Sequence, residues 1–260
     1  MRIAVIGGGA AGFFSAIAAK ENRLDSHVTI FEKSQKVLSK VKVSGGGRCN
    51  VTNGTTSISE LAKGYPRGEK QLKKAFSVFS TTDTWKWFES RGVELYTQDD
   101  NRVFPKSDNS QSIVDCLMAE TNQLGIDLQL GAGVSSIKSA SDKLELQFQG
   151  ETESRTFDKV IIATGGSPSK KGFDWLEHLG HKIEVPVPSL FTFNMPTEPI
   201  KELMGVVVAN AMVNIQGTKL KSQGPLLITH WGMSGPAILK LSAFGARILS
   251  ELGYKFKAQV

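Results

Sequence analysis

A short β-branched run, Arg2-Ile3-Ala4-Val5-Ile6, stops at Gly7-Gly8-Gly9-Ala10-Ala11-Gly12, and this junction constrains the fold more than any other stretch. The apolar run predicts a buried parallel strand. Residues 10–20 are alanine-rich with Phe13, Phe14 and Ile17 among small residues, which predicts a helix able to pack closely on a sheet. Residues 28–32 predict a second strand, so the unit reads as a right-handed βαβ crossover with parallel strands. The G-x-G-x-x-G spacing has a mechanism. Gly7 makes the tight turn, Gly9 admits a pyrophosphate, and Gly12 lets helix and strand pack closely. The helix start at Ala10 and Ala11 then offers unpaired N–H groups to phosphate. Glu32 ends the second strand, twenty residues beyond Gly12, where an acidic side chain accepts hydrogen bonds from a ribose diol; Lys33 lies beside it.

NAD and FAD share this pattern, and two later features favour FAD. Residues 126–157 alternate apolar and polar residues between turns, which predicts a three-stranded antiparallel meander unlike a simple NAD domain. Residues 159–166 then return to an apolar run, predicted as a buried parallel strand. It ends in Thr164-Gly165-Gly166, suited to a further backbone approach to the cofactor. Between these parts, residues 55–92 read as mostly helical, with helices at 69–79 and 82–91 and Thr81 or Thr82 as the cap of the second. Strands at 93–96 and 102–104 flank a turn, and a helix capped by Asp108 or Ser110 runs to about residue 123.

The segment Ser44-Gly45-Gly46-Gly47-Arg48-Cys49-Asn50-Val51-Thr52-Asn53 places a fixed positive charge and several donors beside bare backbone. Such a loop can wrap an anionic or planar ligand. It resembles the signature of the bacterial YhiN/BaiN-like flavoproteins, NAD(P)/FAD-dependent oxidoreductases of aminoacetone-oxidase-like type. Arg102-Val103-Phe104-Pro105-Lys106-Ser107-Asp108 and Thr229-His230-Trp231-Gly232-Met233-Ser234-Gly235-Pro236 resemble two further motifs of that family, in the same order. The resemblance implies an α/β chain: a glutathione-reductase-like, Rossmann-like FAD/NAD(P)-binding domain with an antiparallel meander, interrupted by a β-barrel domain. It implies that residues 7–12 hold the pyrophosphate and that Glu32 holds the adenosine ribose. It also implies that the 44–53 loop lies along the flavin and that Val134 meets the adenine through its backbone. The family pattern continues past residue 260 through the rest of the barrel and back to the flavin. The resemblance therefore implies that a partner fragment or an oligomer completes the FAD site.

Val185-Pro186-Val187-Pro188 marks a change of composition and reads as a domain crossing. The expected division is an FAD/NAD(P)-binding domain at 1–187, with its helical segment at about 55–92, and the first part of the inserted β-barrel at 188–260. In the second part, 206–215 alternates like a barrel strand, 226–228 reads as another, Pro236 opens a helix to about residue 252, and 254–260 begins a further strand.

Composition narrows the function. Two cysteines, Cys49 and Cys116, with no Cys-x-x-Cys exclude a disulfide scaffold and an intrachain dithiol motif, and fit a reduced, cytoplasmic setting. Four histidines without paired spacing argue against a structural metal site. The net charge of +6 comes from scattered lysines, with short groups at Lys70/Lys73/Lys74 and Lys219/Lys221, which reads as a solvated surface rather than a nucleic-acid footprint. Gly7-Gly8-Gly9 breaks the N-terminal apolar run, against a signal peptide, and no segment is apolar and long enough to span a bilayer. For proton transfer, His230 is a candidate, but the favoured reading is a histidine that holds its loop by hydrogen bonds. Arg48 suits phosphate or the developing anion of a reduced flavin. Cys49 reads as a small packed residue or a flavin contact, and Ser234 as a helix cap rather than a nucleophile. The expected function is hydride transfer between bound FAD and a small organic substrate, with NAD(P)H as electron donor. The alternatives are a flavin-dependent nucleic-acid modifier, or a dinucleotide-binding module without catalysis.

Overall fold

The computed structural model describes residues 1–167 and 169–260, which form two compact units. The first comprises residues 1–64 and 70–184, and the second residues 65–69 and 185–260.

The first unit is built on β1 (Arg2–Ile6), α1 (Ala10–Asn22) and β2 (His27–Glu32). There follow α2 (Ser39–Gly47), β3 (Thr52–Asn53), α3 (Ile58–Lys63), α4 (Glu69–Phe76) and α5 (Thr81–Glu89). Next come β4 (Leu95–Thr97), β5 (Arg102–Pro105), α6 (Gln111–Gln123) and β6 (Asp127–Leu130). The unit closes with β7 (Val134–Ala140), β8 (Lys143–Phe148), β9 (Ser154–Phe157), β10 (Lys159–Ile162) and the short α7 (Asp174–Glu177).

Four strands form a parallel sheet in the order β10-β1-β2-β6. Its central strands bury both faces. Ile3, Val5, Val28 and Ile30 pack with Phe13 and Ile17 of α1 and with Ile113 and Leu117 of α6. Ala4, Ile6 and Phe31 face the other way and pack with Ile137, Leu146, Phe148 and Phe157 of the β7-β8-β9 meander. The period-two alternation of β-strand side chains explains this division. Each fully buried Phe or Ile contributes roughly 1.5–3 kcal/mol. A separate sheet, β3-β5-β4, is antiparallel.

Three expectations need correction here. The antiparallel meander spans β7 to β9 only. Residues 127–130 instead form β6, which pairs parallel with β2 through Thr29–Asp127 to Glu32–Leu130. The local pattern of a short edge strand does not say which neighbour it takes. The strand at 159–162 is an edge strand of the described sheet rather than a buried one, with Ile162 39% exposed. The cap of α5 is Ser80. Its Oγ accepts from the Asp83 N–H while the Asp83 carboxylate accepts from the Ser80 N–H, forming a capping box.

The second unit contains β11 (Phe193–Asn194), β12 (Val207–Ile215), β13 (Lys221–Thr229), β14 (Gly232–Ser234), α8 (Pro236–Glu251) and β15 (Ala258–Gln259). Its strands form an antiparallel sheet in the order β11-β14-β13-β12-β15. Ala211, Val213, Ile215, Leu226 and Ile228 pack against Ala237, Ile238, Leu241 and Leu249 of α8. The reading of Ser234 as helix cap is overturned: Gly235 occupies that position, while Ser234 pairs with Leu227 inside the sheet. The expected strand at 254–260 is confined to Ala258–Gln259. Among the described residues no helix is long and apolar enough to cross a membrane.

Candidate functional site

The βα turn after β1 is built by contacts that exclude side chains. A Cβ on Gly12 would stand 1.8 Å from the Gly7 carbonyl oxygen, and one on Gly7 would stand 2.5 Å from the Ala163 carbonyl oxygen. Gly7 also has φ of +115°, which L side chains rarely adopt. Gly9 differs from both, because a Cβ there would point into open space. The first helical bond of α1 runs from the Phe13 N–H to the Gly9 carbonyl at 3.0 Å, so the N–H groups of Ala10, Ala11 and Gly12 lie outside the helix's own ladder. No acidic residue and no side-chain cap occupies the first turn of α1.

Glu32 closes the turn from the neighbouring strand. Its Oε2 accepts from the Gly8 N–H at 2.7 Å and its Oε1 from the Ser34 N–H at 2.9 Å. Partial burial pushes this carboxyl upward, but the N–H groups of Gly8 and Ser34, the Ser34 hydroxyl and the charge of Lys33 together hold it below its usual value. The charged form is therefore favoured, with acceptor capacity left at each oxygen.

Two cavities of the first unit gather most of the residues singled out in the sequence. A cleft of about 350 Å³ at the carboxyl ends of β1 and β2 is lined by Gly7, Glu32, Lys33, Val134 and Thr164, with Trp175 among its walls. A larger, mainly apolar cavity of about 530 Å³ is lined by Ala10, Ala11, Ser44, Cys49 and Asn50, with Phe14, Phe79 and Phe88 supplying aromatic surface. A crevice at the carboxyl ends of parallel strands is where open α/β sheets bind ligands.

The 44–50 loop is a left-handed excursion rather than a continuation of α2. Ser44 is extended (ψ 152°), and Gly45, Gly46 and Gly47 have φ of +57°, +71° and +86°. Cys49 also has positive φ, at +63°. The loop is tied down at each end. The Cys49 N–H donates to the Ser44 carbonyl at 3.0 Å, and the Ser110 N–H donates to the Gly47 carbonyl at 2.9 Å. With its amide oriented to donate, Asn50 reaches the Thr52 and Val103 carbonyls at 3.0 and 3.3 Å. Burial pushes the Cys49 thiol above its usual value, against a hydrogen bond from Ser44 that favours the thiolate.

Not every candidate lines a cavity. Gly9, Gly12, Gly46, Gly47 and Gly166 contribute backbone only. Gly45 packs against Phe104, and Gly165 turns the chain at φ +75°. The Arg48 guanidinium stacks on the Phe104 ring at 4.1 Å and lies 3.7 Å from the Asp108 carboxylate, which also accepts from Tyr96 Oη at 2.7 Å. Its charge is engaged in positioning the loop. His230 belongs to the second unit, is exposed, and meets Trp231 edge-on with ring centroids 4.4 Å apart. His27, His178 and His181 are exposed. One residue absent from the sequence reading is Lys40, whose side chain lines the larger cavity.

The profile of the HI0933-like protein Rossmann domain matches residues 1–244. The chain belongs to this family. The resemblance carried by the 44–53, 102–108 and 229–236 motifs is thereby borne out, and the fold is a Rossmann-like dinucleotide-binding α/β fold. A Clostridium scindens protein named 3-dehydro-bile acid delta(4,6)-reductase is 28% identical, over all of this chain and 64% of its own length. An Escherichia coli K12 protein named ribosomal RNA dihydrouridine synthase is 30% identical, over 92% of this chain and 60% of its own length. The chain thus spans 60% and 64% of the length of these two relatives. Among solved structures, a 3-ketosteroid-delta4-(5alpha)-dehydrogenase from Rhodococcus jostii RHA1 is similar over 66% of this chain and 47% of that one, at 14% identity and a TM-score of 0.48.

Proposed function

We propose that this chain is the cofactor-binding part of an FAD-dependent oxidoreductase. The observation that carries this reading is the Gly7–Gly12 turn, with Glu32 beside it and a cavity on either side. The residues fit the cofactor. Gly9 opens onto free space beside unpaired N–H groups, as a pyrophosphate needs. The mixed polar and apolar cleft at Glu32, Val134 and Trp175 suits an adenosine, and the larger apolar cavity suits a flavin ring. When bound, FAD supplies the hydride chemistry. The chain's own contribution is binding and orientation. Glu32 accepts from the ribose diol, and the Val134 backbone meets the adenine. The backbone of Thr164, Gly165 and Gly166 flanks the cofactor. The 44–50 loop bounds the flavin side, where Phe14, Phe79 and Phe88 exclude water.

The reaction class follows from the relatives' names. A delta(4,6)-reductase of a 3-dehydro-bile acid and a dihydrouridine synthase both describe reduction of a carbon–carbon double bond conjugated with a carbonyl. We propose the same class here, with a hydride added to the β-carbon and a proton to the α-carbon, and NAD(P)H as the source of the electrons. The apolar character of the larger cavity favours a small organic enone over RNA. The name of the Escherichia coli relative keeps uridine in RNA as the competing substrate.

Purified protein is expected to show flavin absorbance, or to gain it with added FAD, and to bleach under anaerobic NADPH. Reoxidation by a 3-oxo-Δ4 steroid supports the small-molecule reading. Reoxidation only by uridine-containing RNA, with salt-sensitive binding, supports the second. Protein that neither carries nor takes up FAD overturns both.

A further inference from the structure

Lys40 lies in the first turn of α2 and is exposed. Its neighbourhood is unusual for a surface lysine. Its Nζ comes within 3.9 Å of where a Cβ on Gly165 would stand, at the glycine-rich end of β10. Its side chain also lines the larger cavity together with Ala10 and Ala11, the first residues of α1, and Ser44. The ammonium therefore stands at one bare-backbone turn, while the residue shares a cavity with the start of the other. Its position is registered to the 7–12 turn. Leu38, two residues earlier, adopts φ of +54° and donates its N–H to the Gly8 carbonyl at 2.8 Å. Among the described residues, no carboxylate lies within ion-pair distance of Lys40.

Charge balance decides what such a lysine can do. The α1 N-terminus supplies the equivalent of about half a positive charge, against a diphosphate that carries more than one negative charge. No arginine or lysine stands in the first turn of α1, and Arg48 is committed to Phe104 and Asp108. Lys33 and Lys171 line the smaller cleft with Glu32, away from Ala10 and Ala11 at the start of α1. We infer that Lys40 is the cation that pairs with the diphosphate of the bound dinucleotide. This rests on the dinucleotide reading above, and adds a positioning residue that the glycine motif does not contain. A compact ammonium suits this role as a point charge on a flexible stem, able to follow the diphosphate without a fixed fork geometry.

Binding of FAD and of ADP-ribose, which shares the diphosphate and adenosine but lacks the flavin, is measured by titration calorimetry. The proteins are the parent chain, Lys40→Met, Lys40→Arg and Lys42→Met. Lys42 carries the same charge on the same helix but does not line the cavity. Lys40→Met is expected to weaken both ligands roughly 10- to 100-fold, as for loss of a charged hydrogen bond. It should also flatten the dependence of affinity on salt. Lys40→Arg should restore most of the affinity, and Lys42→Met should stay within about threefold for an exposed charge. Unchanged ADP-ribose and FAD binding in Lys40→Met overturns the inference and leaves the dinucleotide reading intact. Weakened FAD binding with unchanged ADP-ribose binding also overturns it, by assigning the lysine to the flavin half. A parent chain that binds neither ligand overturns the dinucleotide reading and this inference with it.

Discussion

The first unit contains two glycine-rich turns, and Gly12 of one is required for a different reason than Gly46 and Gly47 of the other. At Gly12 of the 7–12 turn the requirement is space, whereas Gly7 combines a close contact with φ of +115°. Gly12 has ordinary helical geometry, yet a Cβ on it would lie 1.8 Å from the Gly7 carbonyl oxygen. In the 44–50 loop the requirement is backbone conformation. Gly46 and Gly47 have φ of +71° and +86°, but nothing lies within 4 Å of where a Cβ on either would stand. Gly45 shares both constraints, at φ +57° and with its Cβ position 2.7 Å from Phe104 Cε1. Identical residues thus report a packed helix–strand contact in one place and a left-handed loop in the other.

Substitution breaks or sharpens this contrast. Gly12→Ala should have the largest effect, destabilising by about 3 kcal/mol or more and abolishing dinucleotide binding, since α1 must move off β1. Denaturant unfolding and FAD titration measure this, and near-parent stability would remove the steric half of the contrast. Gly45→Ala should cost about 2 kcal/mol, from strained φ and the Phe104 contact together. Its unfolding midpoint should fall between those of the Gly12→Ala and Gly46→Ala variants.

Glu32→Gln probes the tie between the 7–12 turn and β2, at about 1 kcal/mol for a weakened charged hydrogen bond. Its sign with pH is fixed. The folded carboxyl sits below its usual value of 4.5, so the stability it adds is present above that value and is lost as pH falls through the folded value. Unfolding midpoints of parent and Glu32→Gln should therefore differ at neutral pH and converge on acidification below about 4.5. A constant gap across that range would show that the carboxylate charge is not what holds the turn.

Gly46→Ala should be mildest, about 1 kcal/mol of backbone strain with binding kept. A Gly46→Ala loss as large as that of Gly12→Ala would show that the loop closes on something its open surroundings do not display.

Much of the first unit was legible from sequence because its signals are local. β1, α1 and β2 follow from periodicity and from the glycine spacing, all within about thirty residues. The same is true of α6 and of the helix after Pro236. Other features depended on partners distant in sequence. The pattern of 127–130 is that of a short strand, and only the exposed edge of β2 makes it part of the parallel sheet. The run 159–162 reads as buried, and becomes an edge strand because β1 is its only sheet neighbour among the described residues. Ser80 stands beside two threonines of similar capping chemistry, and what selects it is the reach of one side chain to one N–H.

The site divides in the same way. Gly7, Gly9, Gly12 and Glu32 are a linear pattern, since a tight βα turn and the next strand end lie at fixed spacing along the chain. Arg48 stands out in the sequence for its charge, but the fold turns it onto Phe104 and Asp108, more than fifty residues away. Lys40 looks like any helical surface lysine until β10 brings Gly165 beside it. The sequence by itself determined where backbone comes bare and which strand end carries the acid, because those depend on residue size and local dihedrals. Which cations remain free to meet a ligand was decided only by tertiary structure, because a charge is available or engaged according to what long-range packing places against it.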